Sequence, residues 1–169
     1  MDYGFDFSFD IYPTEKWNLY FVTSFYNITE EANFGEGFVE LDQWANFSQL
    51  VNNISFLEDN SLNVYLSLIY GSRNLQGLTI VEDRLVSDLS ISKRILKDKG
   101  TLSLTVSDLF NEQDFTTSVN YLNQDSRQFT DIDNRFITLG FSYKFGNTKL
   151  NDNKRETDAI ERERIKDID

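Results

Sequence analysis

A net charge of −12 over 169 residues leaves no basic surface for nucleic acid, and a chain without Cys or His has neither thiolates nor imidazoles for metals, disulfides or general-base chemistry. Although 40% of the residues are hydrophobic, no run approaches the roughly 18 apolar residues of a membrane helix. A single Pro and 15% aromatic residues favour strands instead, and the length suits one domain.

The opening residues alternate without error, with Tyr3, Phe5, Phe7, Phe9 and Ile11 on one face and Asp2, Gly4, Asp6, Ser8 and Asp10 on the other. A period of two is a strand, here greasy on one side and acidic on the other. This N-terminus has neither the basic start nor the continuous apolar stretch of a signal peptide. Combined with the strands below, it predicts a chain cut from a longer protein. A turn at Pro13 to Lys16 leads to a second run, with Trp17, Leu19, Phe21 and Phe25 opposite Asn18, Tyr20, Ser24 and Tyr26.

A long acidic connection is expected from about Asn27 to Asp42, carrying Glu30, Glu31, Glu36 and Glu40. The third strand, about Gln43 to Leu57, has blurred alternation, because Trp44, Phe47 and Leu50 do not share a parity, and a bulge is expected there. After a short turn at Glu58 to Ser61, a fourth strand sets Leu62, Val64, Leu66, Leu68 and Tyr70 against Asn63, Tyr65, Ser67 and Gly71. A polar connection, about Ser72 to Asp83, precedes a fifth strand with Leu85, Leu89 and Ile91 opposite Asp88, Ser90 and Ser92. A basic turn at Lys97 to Gly100 leads to a sixth, where Leu102, Leu104 and Val106 oppose Ser103, Thr105 and Ser107. The longest connection, about Asn111 to Asn134, ends at a seventh strand with Ile137, Leu139, Phe141, Tyr143 and Phe145 against Thr138, Gly140, Ser142 and Lys144.

The connections alternate short and long, the signature of an antiparallel meander with short turns at one end and long loops at the other, as in transmembrane barrels. Strands of about ten residues, tilted ~45°, span an apolar band of ~25 Å. Aromatic residues gather near the strand ends, Tyr12, Trp17, Tyr143 and Phe145 by the short turns and Tyr26, Trp44 and Tyr70 by the long loops, as an interfacial girdle would. A soluble antiparallel barrel or sandwich also alternates, but its polar face is usually rich in long charged side chains. Here that face is mostly Ser, Thr, Asn, Asp and Gly. The predicted fold is therefore all-β: an antiparallel meander of about seven strands forming part of a transmembrane β-barrel over residues 1–146. Residues 147–169, without Phe, Tyr or Trp and dominated by charge, are expected to be a partly disordered periplasmic tail. The lipid-facing residues are expected to include Phe5, Phe7, Phe9, Phe21, Leu66, Leu104 and Leu139.

Residues Asp88 to Lys93, the turn Leu96 to Lys99 and the stretch Leu102 to Asn111 resemble the C-terminal end of a TonB-dependent receptor, more narrowly the outer membrane protein beta-barrel family. The closing Leu139-Gly140-Phe141-Ser142-Tyr143-Lys144-Phe145 is similar to the aromatic-ended last strand that such barrels present to the assembly machinery. The resemblance implies Phe141, Tyr143 and Phe145 as that assembly signal. It further implies outer-membrane lipid, the barrel-assembly machinery and the remainder of the barrel upstream of Met1 as partners, and uptake of a nutrient or siderophore across the outer membrane. It covers residues 85–145 well and 1–84 in pattern only. The family's barrels have many more strands, an N-terminal plug and an export signal. A small closed barrel with a structural or adhesion role, or a soluble all-β ligand-binding domain, are the alternatives.

No residue pattern points to an enzyme, and no cofactor is expected. Ser90-Ile91-Ser92-Lys93 matches an S-x-x-K motif but sits in an alternating strand rather than at a helix start, with no K-T-G after it. The Asn-x-Ser/Thr triplets at Asn27, Asn46 and Asn53 are compositional. The carboxylates between Glu30 and Asp42 lack the spacing of a calcium loop and suit a solvated face.

Overall fold

In a computed structural model, which describes residues 3–35 and 37–146, every regular element is a strand. The expected tail and Asp2 lie outside these residues. Seven long strands form one antiparallel sheet: β1 (Tyr3–Thr14), β2 (Trp17–Asn33), β3 (Phe38–Phe56), β4 (Leu62–Gly71), β7 (Arg84–Ile95), β8 (Gly100–Ser107) and β11 (Phe136–Tyr143), in that order. Four shorter strands, β5 (Asn74–Gln76), β6 (Thr79–Val81), β9 (Phe115–Tyr121) and β10 (Gln124–Thr130), make a second sheet ordered β10-β9-β6-β5. The seven-strand meander is the one the alternation predicts.

The three short turns lie at one end of the large sheet and are bonded to each other. The Lys16 ammonium donates to the Leu57 carbonyl at 2.5 Å, the Arg94 guanidinium to the Asp59 carbonyl at 2.6 Å, and the Lys144 amide to the Lys99 carbonyl at 2.8 Å. In the β7–β8 turn the Lys99 amide bonds the Leu96 carbonyl at 3.3 Å, and its central residues Lys97 and Asp98 have φ of 56° and 67°. Positive φ at both central residues is what a twisted two-residue hairpin demands.

The long connections are built rather than loose, which corrects the expectation of polar loops. Between Asn27 and Asp42 the chain stays in β2 and β3, in unbroken register from Trp17↔Ile54 to Asn33↔Phe38. Val39 and Leu41 alternate there with Glu40 and Asp42, a period of two beneath the acidic composition, although on β2 Glu30 shares the face of Ile28 and Ala32. The same unbroken register removes the bulge expected in β3. The irregularity falls instead in β1, between Ile11 and Thr14, where the pairing shifts just before the turn. The other two connections carry the small sheet, joined where Ile80 and Val81 pair with Ser118 and Thr117.

No dry core lies on either face of the large sheet. Among the described residues the buried apolar side chains are Val39, Ala45, Leu75 and Val81, all at the long-connection end, where the small sheet meets β3.

Candidate functional site

Pairing in register carries one parity from strand to strand and so defines two faces. The aromatic face bears Phe5, Phe7 and Phe9 of β1, Phe21 and Phe25 of β2, Leu50 of β3, Leu66 of β4, Leu89 and Ile91 of β7, Leu104 of β8, and Leu139 and Phe141 of β11. All seven residues expected to face lipid share it. Phe5 is 63% exposed, Leu139 73% and Phe141 62%, while Phe9, Phe21 and Leu66 are half-buried by their neighbours. The rings cover each other across the strands: Phe5 stacks on Phe25 at 5.4 Å, and Phe9 meets Phe21 at 5.3 Å. So wide an exposed apolar surface marks an interaction face, since soluble monomers rarely show contiguous patches above a few hundred Å².

Aromatic residues also border this face. Tyr3 packs edge-on against Trp44 at 5.4 Å at the long-connection end, and Tyr143 edge-on against Phe145 at 4.7 Å at the short-turn end. Trp17 and Tyr70 share the face, but Tyr12 and Tyr26 do not. Tyr26 opposes Gly4 on the polar face, and the Tyr12 hydroxyl donates to Asp10 at 3.2 Å on that same side. The expected girdle is therefore made by fewer residues than the sequence reading assigns to it.

Strand β3 mixes its faces. Asn46, Ser48 and Asn52 stand on the aromatic face, while Phe47 and Val51 point to the polar one. The misplaced polar groups satisfy one another: the Asn46 amide donates to Thr23 Oγ1 at 2.9 Å, the Ser48 hydroxyl to Asn46 Oδ1 at 3.0 Å, and Trp17 Nε1 to Asn52 Oδ1 at 2.6 Å. A polar group whose hydrogen bonds are made internally costs far less in an apolar setting than one left unpaired. This accounts for the blurred alternation without a bulge. A polar residue with its partner one strand away is invisible to a single-strand pattern.

The polar face carries small groups, Ser24 of β2, Ser67 of β4, Asp88 and Ser90 of β7, Ser103 and Thr105 of β8, and Gly140 and Ser142 of β11, beside larger ones such as Tyr20, Phe47 and Tyr65. Ser90 and Thr105 hydroxyls bond across the strands at 3.1 Å. A Cβ at Gly140 would lie 2.5 Å from Ser103 Oγ, so this face is crowded where β8 and β11 meet. At the long-connection end the small sheet leans over the polar face. The two enclose a cavity of about 110 Å³, lined by Phe47, Ile69 and Val86 below and by Asn74, Val81 and Phe115 above. Sequence reading misses this cavity because its roof comes from segments read as loops. Further out, the hairpin tips touch, with Phe34 stacked on Tyr121 at 5.6 Å.

The acidic stretch shows no cation cage. Glu31 and Glu40 oppose each other directly across β2 and β3, and Asp42 accepts from the Asn27 amide at 3.0 Å and the Thr29 hydroxyl at 3.2 Å. Among the described residues no group of three or more carboxylates could hold a metal ion, and Glu36 lies outside them. In the β3–β4 turn, the Ser61 hydroxyl and backbone amide bond the Asp59 carboxylate, the amide at 3.1 Å, and hold its pKa below the ordinary aspartate value.

No curated protein and no solved structure matches the chain. A family model does match, over residues 1–143, spanning the whole seven-strand meander. With its aromatic-faced meander, short turns at one end and capped connections at the other, this chain belongs to the outer membrane protein beta-barrel family.

Proposed function

We propose that the chain is the C-terminal wall of a TonB-dependent receptor, a barrel that draws scarce nutrients of the siderophore kind across the outer membrane, and that it catalyses no reaction. One observation carries the reading: the sheet is open. Strands β1 and β11 each pair on one side only among the described residues, although the face they bound is predominantly apolar. An open edge in lipid leaves backbone groups without partners, so the sheet needs further strands to close.

Topology limits how it closes. Both β1 and β11 run toward the short-turn end, so a direct seam between them would be parallel. An antiparallel seam takes an odd number of additional strands, and we assign these to a segment upstream of Met1. In that setting the aromatic face meets lipid, with Phe5, Phe7, Phe9, Phe21, Leu66, Leu104 and Leu139 as its anchors. The short turns and residues 147–169 are periplasmic, and the long connections face outward. Phe141, Tyr143 and Phe145, on and just beyond the edge strand β11, are the signal read by the barrel-assembly machinery.

The lack of native Cys gives a clean test. Single cysteines at Asn33, in the hairpin tip, and at Lys97, in a short turn, are labelled with a membrane-impermeant maleimide on intact cells. Label on Asn33→Cys alone supports the orientation, and label on Lys97→Cys alone overturns it. Energy-dependent uptake of a ferric siderophore, measured with and without the protein, tests transport. Uptake that ignores both the protein and the proton gradient refutes the receptor reading.

A further inference from the structure

A lysine stands on the apolar face near its short-turn end. The register sets Lys93 between Leu62 and Leu102, with Phe141 beyond Leu102, one row short of the β7–β8 turn. The next row inward is Ile91, Leu104 and Leu139. These two rows floor an open groove of about 230 Å³, with Lys93 at the end toward the turn. The Lys93 ammonium donates to the buried Ser61 hydroxyl, so it is drawn toward the turns while its methylenes lie on apolar surface. That bond uses one of its three donors, and Lys93 makes no ion pair among the described residues. Neighbouring carboxylates are engaged elsewhere: Asp59 accepts from the Ser61 amide at 3.1 Å, and Asp98 lies 3.5 Å from the Arg94 guanidinium. Around the same rim Lys97, Lys99 and Lys144 are exposed and likewise without an ion pair among the described residues. In a chain of net charge −12, this is a local excess of positive charge beside an apolar groove.

We propose that the groove seats an acyl chain of an anionic glycerophospholipid from the periplasmic leaflet, with the headgroup phosphate at the Lys93 ammonium. Lys97, Lys99 and Lys144 supply the surrounding positive field. The chain lies on Ile91, Leu102, Leu104 and Leu139, and the phosphate takes the ammonium donors that Ser61 leaves free. An ammonium at the edge of hydrocarbon has little water around it, which makes a phosphate the better partner. The proposal rests on the reading above, in which the aromatic face meets lipid and the short turns are periplasmic.

The test uses bimane attached to Ile137→Cys, one row beyond Leu139 on the same face and 71% exposed, in a chain with no other cysteine. The full-length protein is reconstituted in phosphatidylcholine vesicles. Quenching is then titrated with phosphatidylglycerol or phosphatidylcholine carrying a nitroxide on one acyl chain. Phosphatidylglycerol should bind at least about fivefold better, the factor that one lysine near an anionic headgroup supplies. Lys93→Arg should keep the preference, Lys93→Met should lower it about fivefold, and Arg127→Met on β10 should leave it unchanged. The comparison of the two lipids needs no change at Lys93, so a folding defect in a variant cannot mimic it. Equal quenching by the two lipids, or a Lys93→Met protein that keeps the whole preference, would overturn the proposal and leave the lipid-facing assignment standing. Displacement by lipid A but not by unlabelled phosphatidylglycerol would overturn the choice of the phospholipid leaflet. No quenching by either lipid would refute the lipid-facing assignment itself, and the proposal with it.

Discussion

Placing a charge at Leu104 separates a membrane wall from a soluble sheet. Leu104 stands on the aromatic face, paired with Ile91 on one side and Leu139 on the other, and is 40% exposed. It lies four residues above Gly100, which at ~3.3 Å per residue and a ~40° tilt is about 10 Å into a ~25 Å apolar band. A lysine so near the midplane costs about 2–4 kcal/mol, or roughly 30- to 700-fold in the folding equilibrium. Thr105→Lys, one residue along and on the polar face, loses only its hydroxyl bond to Ser90, worth about 1 kcal/mol. Both variants are unfolded with guanidinium in phospholipid vesicles while Trp17 and Trp44 fluorescence is followed. If Leu104→Lys costs less than Thr105→Lys, the aromatic face does not meet lipid and the face assignment is wrong.

Lys97→Gly should stabilise the β7–β8 turn by about 0.5–1 kcal/mol, because φ of 56° suits glycine better than lysine; a lower guanidinium midpoint for the variant would count against it. Asp59 makes the β3–β4 turn pH-sensitive. Its pKa is lowered in the fold by Ser61, so its contribution is complete above the unfolded value near 4 and is lost as pH falls through the folded value. An NMR titration should place the Asp59 carboxyl below ordinary aspartates and move it part of the way back in Ser61→Ala, which loses the hydroxyl bond and keeps the amide bond; no difference between the two proteins would remove the hydroxyl from the account.

Most of the seven strands are legible in the sequence because one face stays apolar along the strand, as Phe5-Phe7-Phe9 and Leu62-Val64-Leu66-Leu68 do, whereas β3 is legible only from its bounding turns. The short turns are legible for a related reason: Glu58 to Ser61 and Lys97 to Lys99 interrupt the alternation abruptly. What escapes is structure held by pairing rather than by pattern. The Glu31↔Glu40 pair is acidic enough to read as loop, yet it continues a ladder begun at Trp17↔Ile54. Strands β5 and β6 are three residues each and depend on β9 and β10. The cavity is further removed from the sequence, because Asn74 of β5 and Val86 of β7 line it from two sheets that no local signal joins.

The two edges decide how this wall can exist. Strand β1 has 12 residues and β11 has 8, and about half of each strand's backbone groups point away from the one neighbour it has. In water those groups bond solvent, and the main loss is an aggregation-prone edge. In lipid each costs several kcal/mol, so roughly ten residues of open edge amount to tens of kcal/mol. That exceeds the 5–15 kcal/mol that holds a typical domain together, and the burial of Phe, Leu and Ile in hydrocarbon cannot offset it without a closed ladder. Membrane insertion and closure are then one event. The aromatic face draws the sheet toward lipid, but only antiparallel partners for β1 and β11, odd in number, let it remain there.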